Sequence, residues 1–169
     1  TTGKLSRELF EYRENLNQAH HGDFLTVGGM GHASSIALGI ALAKPETNVY
    51  CFDGDGAAIM HLGAFTNLGQ SGCNNIKHII FNNGAHESVG GQKTYGFEIS
   101  FTEIANSCGY SKTFYADDKD NLSTLFSQFQ NCKGPAFLEI RVGIDTRSDL
   151  GRPTTSPLEN KIELINKLN

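Results

Sequence analysis

Asn48-Val49-Tyr50-Cys51-Phe52-Asp53-Gly54-Asp55-Gly56 and, after 25 intervening residues, Asn82-Asn83 decide how this sequence folds. Asn48 to Phe52 reads as a buried strand running into Gly54-Asp55-Gly56. Ala57 to Gln70 reads as a helix, and His78 to Phe81 as a second buried strand that enters Asn82-Asn83. Both motifs therefore belong to one strand, helix, strand unit, with Asp55 and Asn83 just past a strand end. In sheets built from such units, ligands bind beyond the carboxyl ends of the strands. Magnesium takes oxygen ligands and is usually held by one or two protein groups plus phosphates and water. Asp55 supplies charge and an Asn supplies a neutral oxygen. Gly54 and Gly56 leave backbone N–H groups free to approach phosphate, and the helix beginning near Ala57 and Ala58 adds its positive end. Gly-Asp-Gly alone is also a common tight turn. The distant Asn-Asn pair is what favours a metal-bridged diphosphate.

Outward from this unit, element types keep alternating. A helical pattern covers Ser6 to Leu16, a short extended run covers Phe24 to Val27, and a small-residue helix runs from about Gly31 to Ala43, ended by Pro45. Beyond a glycine-rich loop, Gly84 to Gly91, come a helix near Phe101 to Cys108, an extended Lys112 to Tyr115, a helix near Lys119 to Asn131 and a strand Ala136 to Val142. Gly143 to Pro157 reads as an irregular surface excursion, followed by a terminal helix from about Leu158 to Leu168. Such alternation predicts an α/β fold, a three-layer α/β/α sandwich around a mostly parallel sheet.

The 169 residues suffice for one domain with a full core, and one domain spanning 1–169 is expected. With 38% hydrophobic and 19% charged residues the composition is that of a soluble globular protein. No apolar run approaches the roughly 18 residues of a membrane span. A net charge of −4 without a basic run argues against nucleic acid. Cys51, Cys73, Cys108 and Cys132 form no Cys-x-x-Cys pair, so neither a zinc ribbon nor a disulfide scaffold is suggested and a cytoplasmic setting fits best. The chain opens at Thr1 rather than at a methionine, so a preceding segment is expected.

Gly28-Gly29-Met30-Gly31 lies between a strand and a helix, where a ligand can meet exposed backbone. It is also readable as a turn opening the helix, with Met30 filling core. It does not match the dinucleotide fingerprint, which disfavours a nicotinamide-binding domain.

Gly54-Asp55-Gly56 with Asn82-Asn83 resembles the motif of the thiamine diphosphate-dependent decarboxylase family, with Gly29-Met30-Gly31 the expected distance upstream. Gly29 to Ser34, Asn82 to Gln92 and Asp149-Leu150-Gly151-Arg152-Pro153 are similar to the phosphonopyruvate decarboxylases in that family. Sulfopyruvate decarboxylases are similar in the first two segments. The resemblance implies the diphosphate-binding domain, with thiamine diphosphate and magnesium as cofactors. It assigns the metal to Asp55, Asn83 and the Ala85 carbonyl. It assigns the cofactor to Gly28, Met30, Gly54, Asp55, Gly56, Ala57, Ala58 and Asn83, with Met30 as a wedge that bends the cofactor. The implied reaction converts phosphonopyruvate to phosphonoacetaldehyde and carbon dioxide.

In this family a glutamate on a separate pyrimidine-binding domain activates the cofactor, and no Glu here is assignable to that role. A pyrimidine-binding domain or subunit, and a homo- or hetero-oligomer, are therefore expected partners besides the 2-oxo acid substrate. His32 and His86 flank the proposed cofactor loops and are candidates for proton transfer or phosphonate contact, or else are histidines satisfied by nearby backbone. Lys93, Arg147 and Arg152 are candidate anion contacts or surface charges. A sulfopyruvate or other 2-oxo acid decarboxylase subunit, and a non-catalytic thiamine diphosphate-binding module, remain alternative readings.

Overall fold

The computed structural model describes residues 1–117 and 119–169. Four parallel strands form the central sheet in the order β1-β2-β6-β5: β1 is Val49–Gly54, β2 Ile76–Asn82, β5 Lys112–Ala116 and β6 Ala136–Arg141. Cys51 lies opposite His78, and Asn82 opposite Arg141. The remaining strands, β3 (Ala85–His86) and β4 (Gln92–Lys93), make a small antiparallel ladder in the loop after β2.

Helices cover both faces, as the α/β/α prediction requires. On one face α2 (Ala33–Ala43), α4 (Ala64–Gly69) and α5 (Phe101–Cys108) bury Ala37, Ala41, Phe65, Leu68, Phe101 and Ala105 against Cys51, Ile76, Ile80 and Phe137. Small residues on α2 let it lie close to the sheet, as the Ala-Ser-Gly-rich sequence suggests. On the other face, α6 (Lys119–Asn131) packs Phe129 against Ile79, Ala136 and Leu138. Period-two alternation along β2 and β6 assigns neighbouring residues to opposite cores.

Two expectations need correction. The single helix over Ala57 to Gln70 is two short ones, α3 (Asp55–Met60) and α4, because His61 leaves helical geometry at ψ 46° and Gly63 follows with its low helix propensity. The run Phe24 to Val27 does not join the sheet. The Leu25 N–H and the Asp23 carbonyl bond the buried Asn160 side chain at 2.7 and 2.8 Å, and the Thr26 N–H goes to the Thr1 carbonyl. One parallel bridge, Thr2 to Thr26, is all that run makes.

Asn160 belongs to α7 (Pro157–Leu168), which starts on a capping box: the Glu159 N–H donates to the Ser156 hydroxyl oxygen, and the Ser156 N–H to the Glu159 carboxylate. The first helix, α1 (Gly3–Asn15), is held to the same region by a bidentate Arg13–Asp23 ion pair. No helix among the described residues is long and apolar enough to cross a membrane.

Candidate functional site

β1 and β2 are parallel neighbours, so their carboxyl ends present Asp55 and Asn83 on the same rim of the sheet. Both line a cavity of ≈ 460 Å³ together with Met30, Gly54, Gly56, Ala57, Ala85 and His86. Gly28, Ala58 and His32 do not reach that lining. Gly3, Lys4 and Glu8 of α1, Glu87, and Asp145 and Thr146 of the C-terminal excursion line it as well.

The two asparagines do different work. Asn82 is fully buried and shapes the loop: its Nδ2 donates to the Gly96 carbonyl at 2.6 Å and to Glu139 at 2.7 Å, while its Oδ1 accepts from the Gly84 N–H. Asn83 is half-buried on the cavity wall. Its Oδ1 accepts from the Ala85 N–H at 3.1 Å and its Nδ2 donates to Glu87 at 3.0 Å.

Asp55 is 1% exposed, and its Oδ2 accepts a hydrogen bond from the Thr94 hydroxyl. The loop bearing Thr94 closes tightly on this carboxylate. A Cβ at Gly96 would lie 2.5 Å from Asp55 Oδ2 and 2.6 Å from Asn82 Oδ1. Gly54, by contrast, has no atom within 4 Å of where its Cβ would stand, so the backbone beside Asp55 is open to a ligand.

His86 packs its ring over Gly56, where a Cβ would collide with it. His32 sits exposed at the start of α2, with its ring 4.1 Å from that of His61 and Nδ1 3.2 Å from the Gly29 carbonyl. Lys93 pairs with Glu98, and Arg147 with Glu11 and Asp149, all away from the cavity lining.

The electrostatics of the rim favour a cation. Burial pushes the Glu139 carboxyl above its ordinary value of 4.5, and the nearby Asp55 adds to that shift, while the Asn82 hydrogen bond and Arg141 oppose it. Glu87 goes the other way: burial raises it, but the Thr146 hydroxyl and the Lys4 ammonium hold it below the ordinary carboxylate range. Hard oxygen donors beside an open glycine backbone fit a magnesium-bridged diphosphate.

Glu139 gives a pH prediction. A carboxyl whose native pKa is raised contributes stability that is present below pH 4.5 and lost as pH rises through the native value. Glu139→Gln keeps an acceptor for Asn82 and cannot ionise. Its stability relative to the parent is expected to rise across that window and then level off. Thermal melting at a series of pH values checks this, and a pH-independent difference would refute it.

Thr94, Glu139 and Glu87 were not read from the sequence as site residues. Thr94 lies 39 positions from Asp55, and Glu139 57 positions from Asn82. Only the buried position of Glu139 in an apolar strand run was a visible clue.

This arrangement defines a diphosphate-binding domain, and residues 1–140 match the family described as thiamine pyrophosphate enzyme, C-terminal TPP binding domain; the chain belongs to that family. It is 34% identical over 159 residues to a phosphonopyruvate decarboxylase of Streptomyces viridochromogenes, covering 94% of this chain and 38% of that relative. To the sulfopyruvate decarboxylase subunit beta of Methanothermobacter thermautotrophicus it is 33% identical over 137 residues, 81% of this chain and 68% of the relative. A sulfopyruvate decarboxylase of Methanosarcina acetivorans is 34% identical over 119 residues, 70% of this chain and 30% of that protein. The chain thus spans well under half the length of the phosphonopyruvate decarboxylase it matches.

Proposed function

We propose that this chain is the diphosphate-binding half of a thiamine diphosphate- and magnesium-dependent decarboxylase that converts phosphonopyruvate to phosphonoacetaldehyde and carbon dioxide. The observation that carries this reading is that Asp55 and Asn83, from adjacent parallel strands, line one cavity with Met30. The near-complete coverage of the chain by a phosphonopyruvate decarboxylase supports the phosphonate as substrate.

In this reading the Asp55 carboxylate, the Asn83 side-chain oxygen and the Ala85 carbonyl hold magnesium. Backbone N–H groups from Gly54 to Ala57, which line the cavity, receive the diphosphate, with Ala58 behind them. Gly28 and Met30 meet the aminopyrimidine, and Met30 acts as the wedge. The bound cofactor supplies the electron sink that lets a 2-oxo acid lose carbon dioxide. His86, on the cavity wall, is the histidine placed to move a proton; His32, outside that wall, stands behind it as a candidate.

The charge of the wall supports a specific task for the other half. Among the described residues Lys4 is the sole Lys or Arg in the lining, where it faces Asp55, Glu8, Glu87 and Asp145 and is already paired with Glu87. Cations that balance the carboxylate and phosphonate of the substrate, together with the activating glutamate, then come from a pyrimidine-binding domain or subunit.

The test is carbon dioxide release from phosphonopyruvate by this chain joined to that half, with magnesium and thiamine diphosphate, and sulfopyruvate as competitor. Preferred turnover of the phosphonate is expected. Preferred turnover of the sulfonate would move the assignment to a sulfopyruvate decarboxylase, and magnesium-dependent cofactor binding without turnover would favour a non-catalytic binding module.

A further inference from the structure

One carboxylate in the cavity wall joins three distant parts of the chain. Glu87 opens the short 3₁₀ turn Glu87–Val89 after β3. Its Oε2 accepts from Asn83 Nδ2 at 3.0 Å, and its Oε1 accepts from Lys4 Nζ at 3.0 Å and from the Thr146 hydroxyl. Lys4 comes from α1, Asn83 from the end of β2, and Thr146 from the irregular excursion after β6. All four residues line the same cavity.

These bonds decide which way the Asn83 amide points. An ionised carboxylate only accepts hydrogen bonds, so it must face the –NH₂ side of the amide. With Nδ2 turned to Glu87, Oδ1 is turned away from it, where it receives the Ala85 N–H at 3.1 Å. Without Glu87 the two ends of the amide are close to isosteric, and among the described residues only the longer bond from the Ala85 N–H would still tell them apart. A flipped Asn83 would present –NH₂, which cannot bind a cation, at the place where a ligand oxygen is needed.

Resting on the cofactor reading above, we infer that Glu87 is a positioning residue for the metal site: it fixes the Asn83 side-chain oxygen toward the metal and clips α1 and the C-terminal excursion to the ligand loop. It touches neither substrate nor metal and acts through Asn83. Partners that orient a metal ligand in this way are typically worth roughly 10- to 100-fold in metal affinity.

The experiment uses the full-length protein, or the reconstituted pair if the other half is a separate chain. Thiamine diphosphate binding is followed by calorimetry across a magnesium series, with thermal melting of the unliganded protein alongside. Glu87→Ala is expected to raise the magnesium concentration for half-maximal cofactor binding roughly 10- to 100-fold, with binding recovered at saturating magnesium. Glu87→Asp keeps the charge but is one methylene too short to reach all three partners, so the same direction of shift is expected; it serves if the alanine variant does not fold. Glu87→Gln retains an acceptor for Asn83 and should recover most of the loss. If a folded Glu87→Ala or Glu87→Asp variant keeps the parental magnesium dependence, or shows only a lowered melting temperature, the positioning role is overturned and the cofactor reading stands. If the parent itself shows no magnesium-dependent cofactor binding, the cofactor reading falls and this inference with it.

Discussion

Asp55→Ala is expected to abolish magnesium-dependent binding of thiamine diphosphate, because it removes the one charged side chain proposed as a metal ligand. A residue that merely orients a ligand is worth roughly 10- to 100-fold in metal affinity, so loss of the ligand itself should exceed the upper figure. At about 1.4 kcal/mol per tenfold that is at least about 2.8 kcal/mol. The substitution also strands the buried Thr94 hydroxyl, which now donates to Asp55 Oδ2, so part of any effect could arise from the fold. Asp55→Asn separates the two. It keeps an oxygen for Thr94 and deletes the charge, so it should melt close to the parent yet bind cofactor with little response to magnesium. Calorimetric titration with and without magnesium measures both variants. An affinity unchanged from the parent would sink the metal assignment.

How much of this was legible in the sequence follows from the range of the interactions. Cys51, Ile79 and Ile80 sit in short apolar runs bounded by polar turns, and such runs report buried strands locally. Asp55 and Asn83 are therefore legible as lying just past strand ends, and the parallel sheet follows from the alternation of elements. The failures have longer reach. Phe24 to Val27 has strand-like residues, yet its backbone groups are taken by Asn160, 135 positions from Leu25, and by Thr1. The break between α3 and α4 falls at His61, which leaves helical geometry at ψ 46° beside the ring of His32, 29 positions away, and at the Gly63 that follows. That Asn82 builds the loop while Asn83 faces the cavity depends on Glu139 and Glu87, and adjacency in sequence hides the division of labour.

Gly31→Ala should be strongly destabilising, and the reason joins the two glycine motifs. Gly31 has φ +84°, in the left-handed region where a Cβ meets its own backbone. An added Cβ would also stand 2.6 Å from the Ala57 carbonyl oxygen and 2.6 Å from the His61 ring. His61 is a side chain and can turn away. The Ala57 carbonyl belongs to α3, the helix that begins at Asp55, so relief there requires the Met30 loop and the Gly-Asp-Gly turn to move apart. Backbone strain of roughly 1–3 kcal/mol and overpacking of roughly 1–3 kcal/mol together predict a loss of about 2–6 kcal/mol. For a chain of this size that lowers the melting temperature by on the order of 10 °C. Gly39→Ala supplies the contrast: Gly39 lies in α2 with nothing within 4 Å of its Cβ position, and alanine there should be neutral or stabilise by about 0.5–1 kcal/mol. Thermal melting of the two variants side by side reads the difference, and equal melting temperatures would mean that the Met30 loop and α3 are not packed against each other as described. In the proposed reading Met30 and Asp55 address opposite ends of one cofactor, so the same displacement should weaken its binding even at saturating magnesium, which distinguishes Gly31→Ala from any change at Glu87.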